Sequence, residues 1–200
     1  MMRGFWILLA GATLTSVPAL SAQVVNGGFE SGDAGWTFNT NDCSATADGV
    51  ASDGPAFTGA NGVGGGSGPH SGATDMWMGA VGCTPSISQT VSTISGQGYE
   101  LSLWAKVTSA YPTNIPNVFT VMFNSTTLFS GQLTNLAWEN GVFNVTGTGT
   151  DVITIAANNA NGATEVDDVS LTTTPEPSSM ALLGTGLFGL IPMVRRRTRK

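Results

Sequence analysis

The sequence predicts an all-β protein, a two-sheet antiparallel jelly-roll sandwich, flanked by an N-terminal signal peptide and a C-terminal apolar helix. Three observations predict it. Short runs of alternating apolar and polar residues recur through the middle of the 200-residue chain, separated by Gly, Asn, Thr and Pro; this is the period of strands with one face on a core. No stretch there sustains apolar residues at spacings of three and four, so helix is a minor component. Turn residues return about every 8–12 positions, as they do in sandwiches and jelly rolls.

The clearest strands are Ser86–Ile94, Tyr99–Val107, Val118–Asn124, Trp138–Val145, Asp151–Ala157 and Glu165–Thr172. In the second, Tyr99, Leu101, Leu103, Ala105 and Val107 share one face and Glu100, Ser102, Trp104 and Lys106 the other, so the first set is expected on the core. In the fifth, Ile153 and Ile155 mark the core face against Val152 and Thr154. Residues 23–174, roughly 150 in number, suffice for one core.

Charge separates the chain into three pieces. Lys106 is the one cation between residues 23 and 174, against twelve carboxylates. Clustered Lys and Arg are what bind phosphates, so nucleic acid is excluded as a partner of this middle piece. Recurrent Trp, Phe, Val, Ile and Leu exclude disorder.

Residues 1–22 carry one positive charge, an apolar run from Phe5 to about Leu14, and small residues around Ala19–Ala22. This is the build of a secretory signal peptide, with cleavage expected after Ser21 or Ala22. Residues 175–200 join a rigid Pro175-Glu176-Pro177, an apolar stretch from Met180 to Val194 and a basic cluster that includes Arg195, Arg196 and Arg197. Fifteen residues of helix reach about 23 Å, a marginal membrane span. The arginines favour the cytoplasmic face, which leaves the preceding domain outside the inner membrane.

In their order and terminal position these three parts resemble the PEP-CTERM sorting signal of bacteria that make extracellular polysaccharide. The resemblance implies an exosortase-type processing enzyme as partner, a precursor held in the membrane by its C-terminal helix until processing, and a mature protein in the cell envelope or outside it. An ordinary tail anchor would insert by the same physics.

Export puts Cys43 and Cys83, the two cysteines of the chain, in an oxidising compartment, where a disulfide is the economical reading and two free thiols the alternative. Closing that 41-residue segment would stabilise by roughly 3–4 kcal/mol, mostly through the unfolded ensemble. It would also confine the glycine-rich stretch Gly59–Gly72.

At the start of the middle piece stands Val25-Asn26-Gly27-Gly28-Phe29-Glu30, followed by Gly35-Trp36; near its end stands Val166-Asp167-Asp168-Val169-Ser170-Leu171. Together with Tyr99–Ala105 these resemble the opening, closing and core-strand motifs of galactose-binding-domain-like jelly rolls, the superfamily that holds many carbohydrate-binding modules. The resemblance implies that the first and last motifs lie side by side and share a structural calcium, with Glu30 and Asp168 as leading ligands, Asp167 beside them and a backbone carbonyl near Gly28 as a further one. Gathered carboxylates repel unless a cation sits between them. The alternative is that Asp167 and Asp168 point to opposite faces, one capping a turn and one solvated.

Catalytic patterns are weak. His70, the sole histidine, lies in a glycine-rich loop expected to hold a base poorly, and no Gly-x-Ser-x-Gly elbow accompanies it. GANGVGGGSG lacks the Gly-Lys-Ser/Thr of a phosphate cradle. Sugar binding without turnover needs aromatic faces and a few polar groups. Trp36 and Trp138 are expected in the core, whereas Trp77, Trp104 and Tyr111 are the candidate ligand contacts. The expectation is therefore an exported, non-catalytic envelope or matrix protein associated with extracellular polysaccharide. The alternatives are a structural or adhesive surface protein without a sugar site and, further off, a small hydrolase.

Overall fold

The computed structural model describes residues 24–32, 34–39, 55–59, 68–78, 84–108, 117–159 and 162–174. Residues 1–22, expected to be a signal peptide, together with Cys43, Cys83, Tyr111 and the whole C-terminal segment from Pro175, lie outside the described residues. The anticipated bridge, the tyrosine contact and the apolar helix fall on those residues.

Ten strands form within the described residues: β1 (Thr37–Asn39), β2 (Pro55–Gly59), β3 (Thr74–Met78), β4 (Ser86–Ser92), β5 (Gly98–Val107), β6 (Val118–Phe123), β7 (Thr126–Gln132), β8 (Glu139–Thr146), β9 (Thr150–Asn158) and β10 (Thr164–Thr173). They pair antiparallel into two five-stranded sheets, β1-β4-β9-β6-β7 (sheet A) and β2-β3-β10-β5-β8 (sheet B). This is a jelly-roll sandwich, and no described residue is helical. The six strands expected from the alternation are present as β4, β5, β6, β8, β9 and β10.

Period-two patterning fixes which side of each sheet is buried. Ile87, Val121, Phe123, Ile153 and Ile155 of sheet A meet Met76, Leu101, Leu103, Val166 and Leu171 of sheet B in one core. The expected split of β5 is observed, with Tyr99, Leu101, Leu103, Ala105 and Val107 all buried. Trp36 is also buried, as expected, its ring 5.4 Å from that of Phe29.

One carboxylate is built into the core-side end of β9. Asp151 is fully buried and accepts from Asn124 Nδ2 (2.7 Å), Thr148 N (2.9 Å), Thr148 Oγ1 (2.5 Å) and the Thr93 hydroxyl. Burial alone would raise its pKa, but these donors outweigh it and hold the carboxyl at about 2. Asp151 thereby ties the β6–β7, β8–β9 and β4–β5 turns at one end of the sandwich, as a structural group.

The opening motif is folded by Asn26, whose φ is +53°. Its side chain accepts from Ser31 N (3.0 Å) and donates to Gly32 O (2.8 Å), and its carbonyl accepts from Trp36 Nε1 (3.1 Å). Gln89 of β4 clasps Val25 through both its amide atoms, at 2.6 and 2.8 Å. These bonds satisfy a turn-rich segment that has no ladder of its own.

Candidate functional site

The first and last motifs meet, as the resemblance implies. Val169 N donates to Gly27 O at 2.9 Å, and a Cβ on Gly27 would stand 1.9 Å from Val169 O. Only glycine allows that approach. On the other side of the contact β10 breaks its register with β5 between Asp167 and Ser170, where Asp168 takes φ +49°. A bulge of this kind re-aims side chains. Here Asp167 stays on the outer face of sheet B, fully buried under residues 70 and 71, and Asp168 is half-exposed at the rim.

Glu30, Asp167 and Asp168 all grip one segment, residues 68–74. Glu30 Oε1 accepts from Ala73 N (2.7 Å) and Thr74 N (3.0 Å), which keeps its pKa below the usual carboxylate range. Gly72, at φ +65°, leaves room for that carboxylate, since a Cβ there would lie 2.2 Å from Glu30 Oε1. Asp167 Oδ2 accepts from His70 N (2.9 Å) and Ser71 N (3.0 Å), and its Oδ1 from Asp168 N (2.7 Å). Burial nevertheless dominates and lifts the Asp167 pKa to about 6. Asp168 takes His70 Nδ1 at 2.6 Å on one oxygen and Ser71 Oγ at 2.7 Å on the other.

Gly28 completes this corner, 3.4 Å from Asp168 Oδ1 at the position of a Cβ. The anticipated calcium set is therefore gathered in space, but its oxygens face N–H and O–H donors. Among the described residues no three His, Cys, Asp or Glu groups converge tightly enough to hold a metal. An ion here requires Glu30 and Asp168 to exchange their present donors for it.

The segment 68–71 continues onto the outer face of sheet B. Register decides what that face carries: Glu165 pairs with both Trp77 and Lys106, and Asp167 with Trp104. Alternation adds Asp75 beside Trp77. Lys106 and Glu165, 1–2% exposed, form an ion pair at 2.6 Å, and Lys106 also donates to Gly68 O at 2.9 Å and sits 4.3 Å from the Trp138 ring centroid. Asp75 is fully buried, and among the described residues none donates a hydrogen bond to either of its carboxylate oxygens. Burial first, and then Glu165 and Asp167, push its pKa to about 7 against the opposing pull of Lys106. His70 stacks on Trp104, with Trp138 edge-on at 5.8 Å.

Sheet A presents nothing comparable. Ser86, Ser88, Thr90, Val152, Thr154, Ala156, Thr120 and Met122 occupy its outward positions on β4, β9 and β6. The ionisable groups and tryptophans of the described outward positions are concentrated on one side of the sandwich.

Three expectations change. Trp138 is half-buried at the edge of this face and not in the core, because it precedes β8 and leans on Lys106. Trp77, outside the six strands expected from the alternation, belongs to strand β3, and like Trp104 it is half-buried on the outer face. His70 is held firmly, by a main-chain bond to Asp167, a ring bond to Asp168 and the Trp104 stack. Sequence reasoning missed Asp75, Lys106 and Glu165 as a buried charged group. The available signal was the single cation of the middle piece, placed in an alternating strand opposite a carboxylate-bearing one.

Comparison with known proteins bears on the C-terminal segment and on the β domain. Residues 173–200 match the model of the PEP-CTERM protein-sorting motif. The sorting motif marks an exported precursor. No curated protein matches the chain in sequence. Among solved structures, the β domain resembles the carbohydrate-binding module TmCBM61, solved with β-1,4-galactotriose, at a TM-score of 0.56 and 18% identity over 76% of this chain and 97% of that one. It also resembles the K3 cleaved adhesin domain of Lys-gingipain from Porphyromonas gingivalis, at a TM-score of 0.54 and 18% identity over 76% and 98%. At such identities the likeness is one of fold: a jelly roll of the carbohydrate-binding-module type.

Proposed function

We propose that this is an exported, non-catalytic glycan-binding domain, released or anchored through its sorting motif by an exosortase-type enzyme, and that the outer face of sheet B is the side it turns to extracellular polysaccharide. The observation that carries the proposal is the asymmetry between the two outer faces. Sugar rings stack on indoles while their hydroxyls need charged or amide partners. Trp77, Trp104 and Trp138 are half-buried on one face, where His70, Ser71, Asp168, Asn140 and Asn144 offer polar groups at the surface above the buried Asp75, Glu165 and Lys106, and the other face offers small hydroxyl and aliphatic side chains. The shared fold with a galactotriose-binding module supports the same reading.

A hydrolase is disfavoured by the arrangement of His70, Ser71 and Asp168. All three residue types of a catalytic triad meet, but serine and histidine both bond to the aspartate. In a triad the serine hydroxyl would instead bond to the histidine.

The test is a glycan array and titration calorimetry on the mature protein recovered from exporting cells, with β-1,4-galactan and the producer's own polysaccharide among the ligands. Binding is expected, weakened at least tenfold in Trp77→Ala with the fold intact. Flat responses across acidic, neutral and amino sugars would remove the glycan reading and leave an adhesive role. Mass spectrometry of the same material is expected to show a C-terminus near Pro175–Pro177.

Calcium at the Glu30–Asp168 corner is a separate proposal. Millimolar calcium is expected to raise the melting temperature of the wild type reversibly, and not that of Asp168→Ala. No shift in the wild type would remove it.

A further inference from the structure

The sandwich is open along one side. β7 ends sheet A, β8 ends sheet B, and between them lies a cavity of about 310 Å3. Leu103 and Phe119 form its buried depth, Phe129 and Phe143 its half-buried walls, and Gln132, Glu139 and Asn140 lie towards solvent.

The void has a local cause. Pairing of β8 with β5 sets Glu139 opposite Ala105 and Gly141 opposite Leu103, so both belong to the inward face with Phe143 and Val145. Gly141 contributes no side chain and Ala105 one methyl group, where a continuous core would carry larger residues. Phe143 lies over Gly141, which has no room for more: a Cβ there would meet its ring at 3.2 Å. Glu139 puts a carboxylate on an inward position at the edge, where Asn135 Nδ2 donates to it. A packing fault would expose apolar walls alone, whereas here those walls end in an oriented acceptor, the Glu139 carboxylate.

We infer that this cavity is a second ligand site, for a compact molecule with an apolar ring for a body and a single hydroxyl or ammonium head. Three phenyl rings and the leucines take the body. Glu139 takes the head. An anionic head is disfavoured, because Lys106, the one cation of residues 23–174, is on the opposite face of sheet B. The volume is at the lower end for ligand pockets, which start at about 300 Å3, and suits a single ring. The inference stands independently of the glycan reading, since the two sites share no tryptophan.

The test uses the mature protein with cyclohexylamine, cyclohexanol and cyclohexanecarboxylate, followed through the methyl resonances of Leu103, Leu133 and Ala105. Saturable shifts are expected for the amine and the alcohol, the amine binding about two- to fivefold tighter, as an exposed ion pair allows, and the carboxylate weakest. Glu139→Gln should bring amine and alcohol level. Ala105→Leu should fill the space and abolish all three while the melting temperature holds or rises; should it fail to fold, Leu133→Trp obstructs the cavity from a half-buried position. Absence of saturable shifts with every probe, shifts that survive the folded filling or blocking variant, or a carboxylate that binds best would each overturn the inference.

Discussion

His70 lies flat on Trp104, with ring centroids 3.9 Å apart and 15° between the planes. The imidazole thus occupies one face of an indole that the alternation of β5 turns outward, and it joins residues 68–74 to sheet B. That joint has measurable consequences.

Replacing His70 with Ala removes the stack and the ring bond to Asp168 together. Loss of the stack alone costs about 1 kcal/mol. Chemical denaturation should show at least that loss, and hydrogen exchange at the Ser71 amide should accelerate. Unchanged exchange would show that Asp167 holds the segment unaided.

The buried carboxylate of Asp75 sets a pH dependence of unusual sign. Its pKa in the fold is about 7, above the ordinary 3.8, so the folded state binds the proton more tightly than the unfolded one. The stabilisation from this group is complete below pH 3.8 and is lost as pH rises through 7. The melting temperature should fall between pH 5.5 and 8.5, and Asp75→Asn should flatten that slope and raise the value at pH 8.5. Asp151, held at about 2, acts oppositely: its contribution is present above 3.8 and lost as pH falls through 2.

Lys106→Met leaves Glu165 charged and buried. Removal of one partner from such a pair costs about 3–5 kcal/mol. The double variant Lys106→Met/Glu165→Met should recover much of it, and urea midpoints of the two proteins would show the difference. Equal midpoints would mean that water already reaches Glu165.

Adjacent glycines should respond differently to alanine. Gly27→Ala drives a methyl group into Val169 O, and a main-chain clash cannot be relieved by a rotamer change, so a loss of more than about 2 kcal/mol is expected. Gly28→Ala meets Asp168 Oδ1 at an ordinary 3.4 Å and should stay within about 1 kcal/mol of the wild type. Thermal melts of the two variants decide it.

Six strands were legible because their alternation is uninterrupted, and Ile153, Ile155 and Leu101 announce the core without tertiary information. The other four were not. β3 reads Thr-Asp-Met-Trp-Met, with an acid inside it and a glycine-rich approach, and β1 has only three residues. β7 carries Ser130 and Gly131 in its run and depends on β6 for its register. The membership of the corner, Glu30 and Gly28 with Asp167 and Asp168, came from the resemblance of the two motifs to galactose-binding-domain-like jelly rolls, and composition and spacing alone left Asp167 and Asp168 free to face opposite ways. The corner's partners were not legible: nothing local to His70 says that a carboxylate 98 positions away will bind its ring. Lys106 looked solvent-facing for the same reason, since alternation reports a side of the sheet and not what covers that side.

The closing strand is hydrogen-bonded on both sides, to β3 and to β5, and the residue after it, Thr174, donates to Gly98 O at 3.0 Å just where the sorting motif takes over. A pull on the tail would load that strand lengthwise, against two ladders at once, instead of unzipping it bond by bond from a free edge. Such shear geometry resists a lengthwise pull better than an edge strand that peels away one bond at a time.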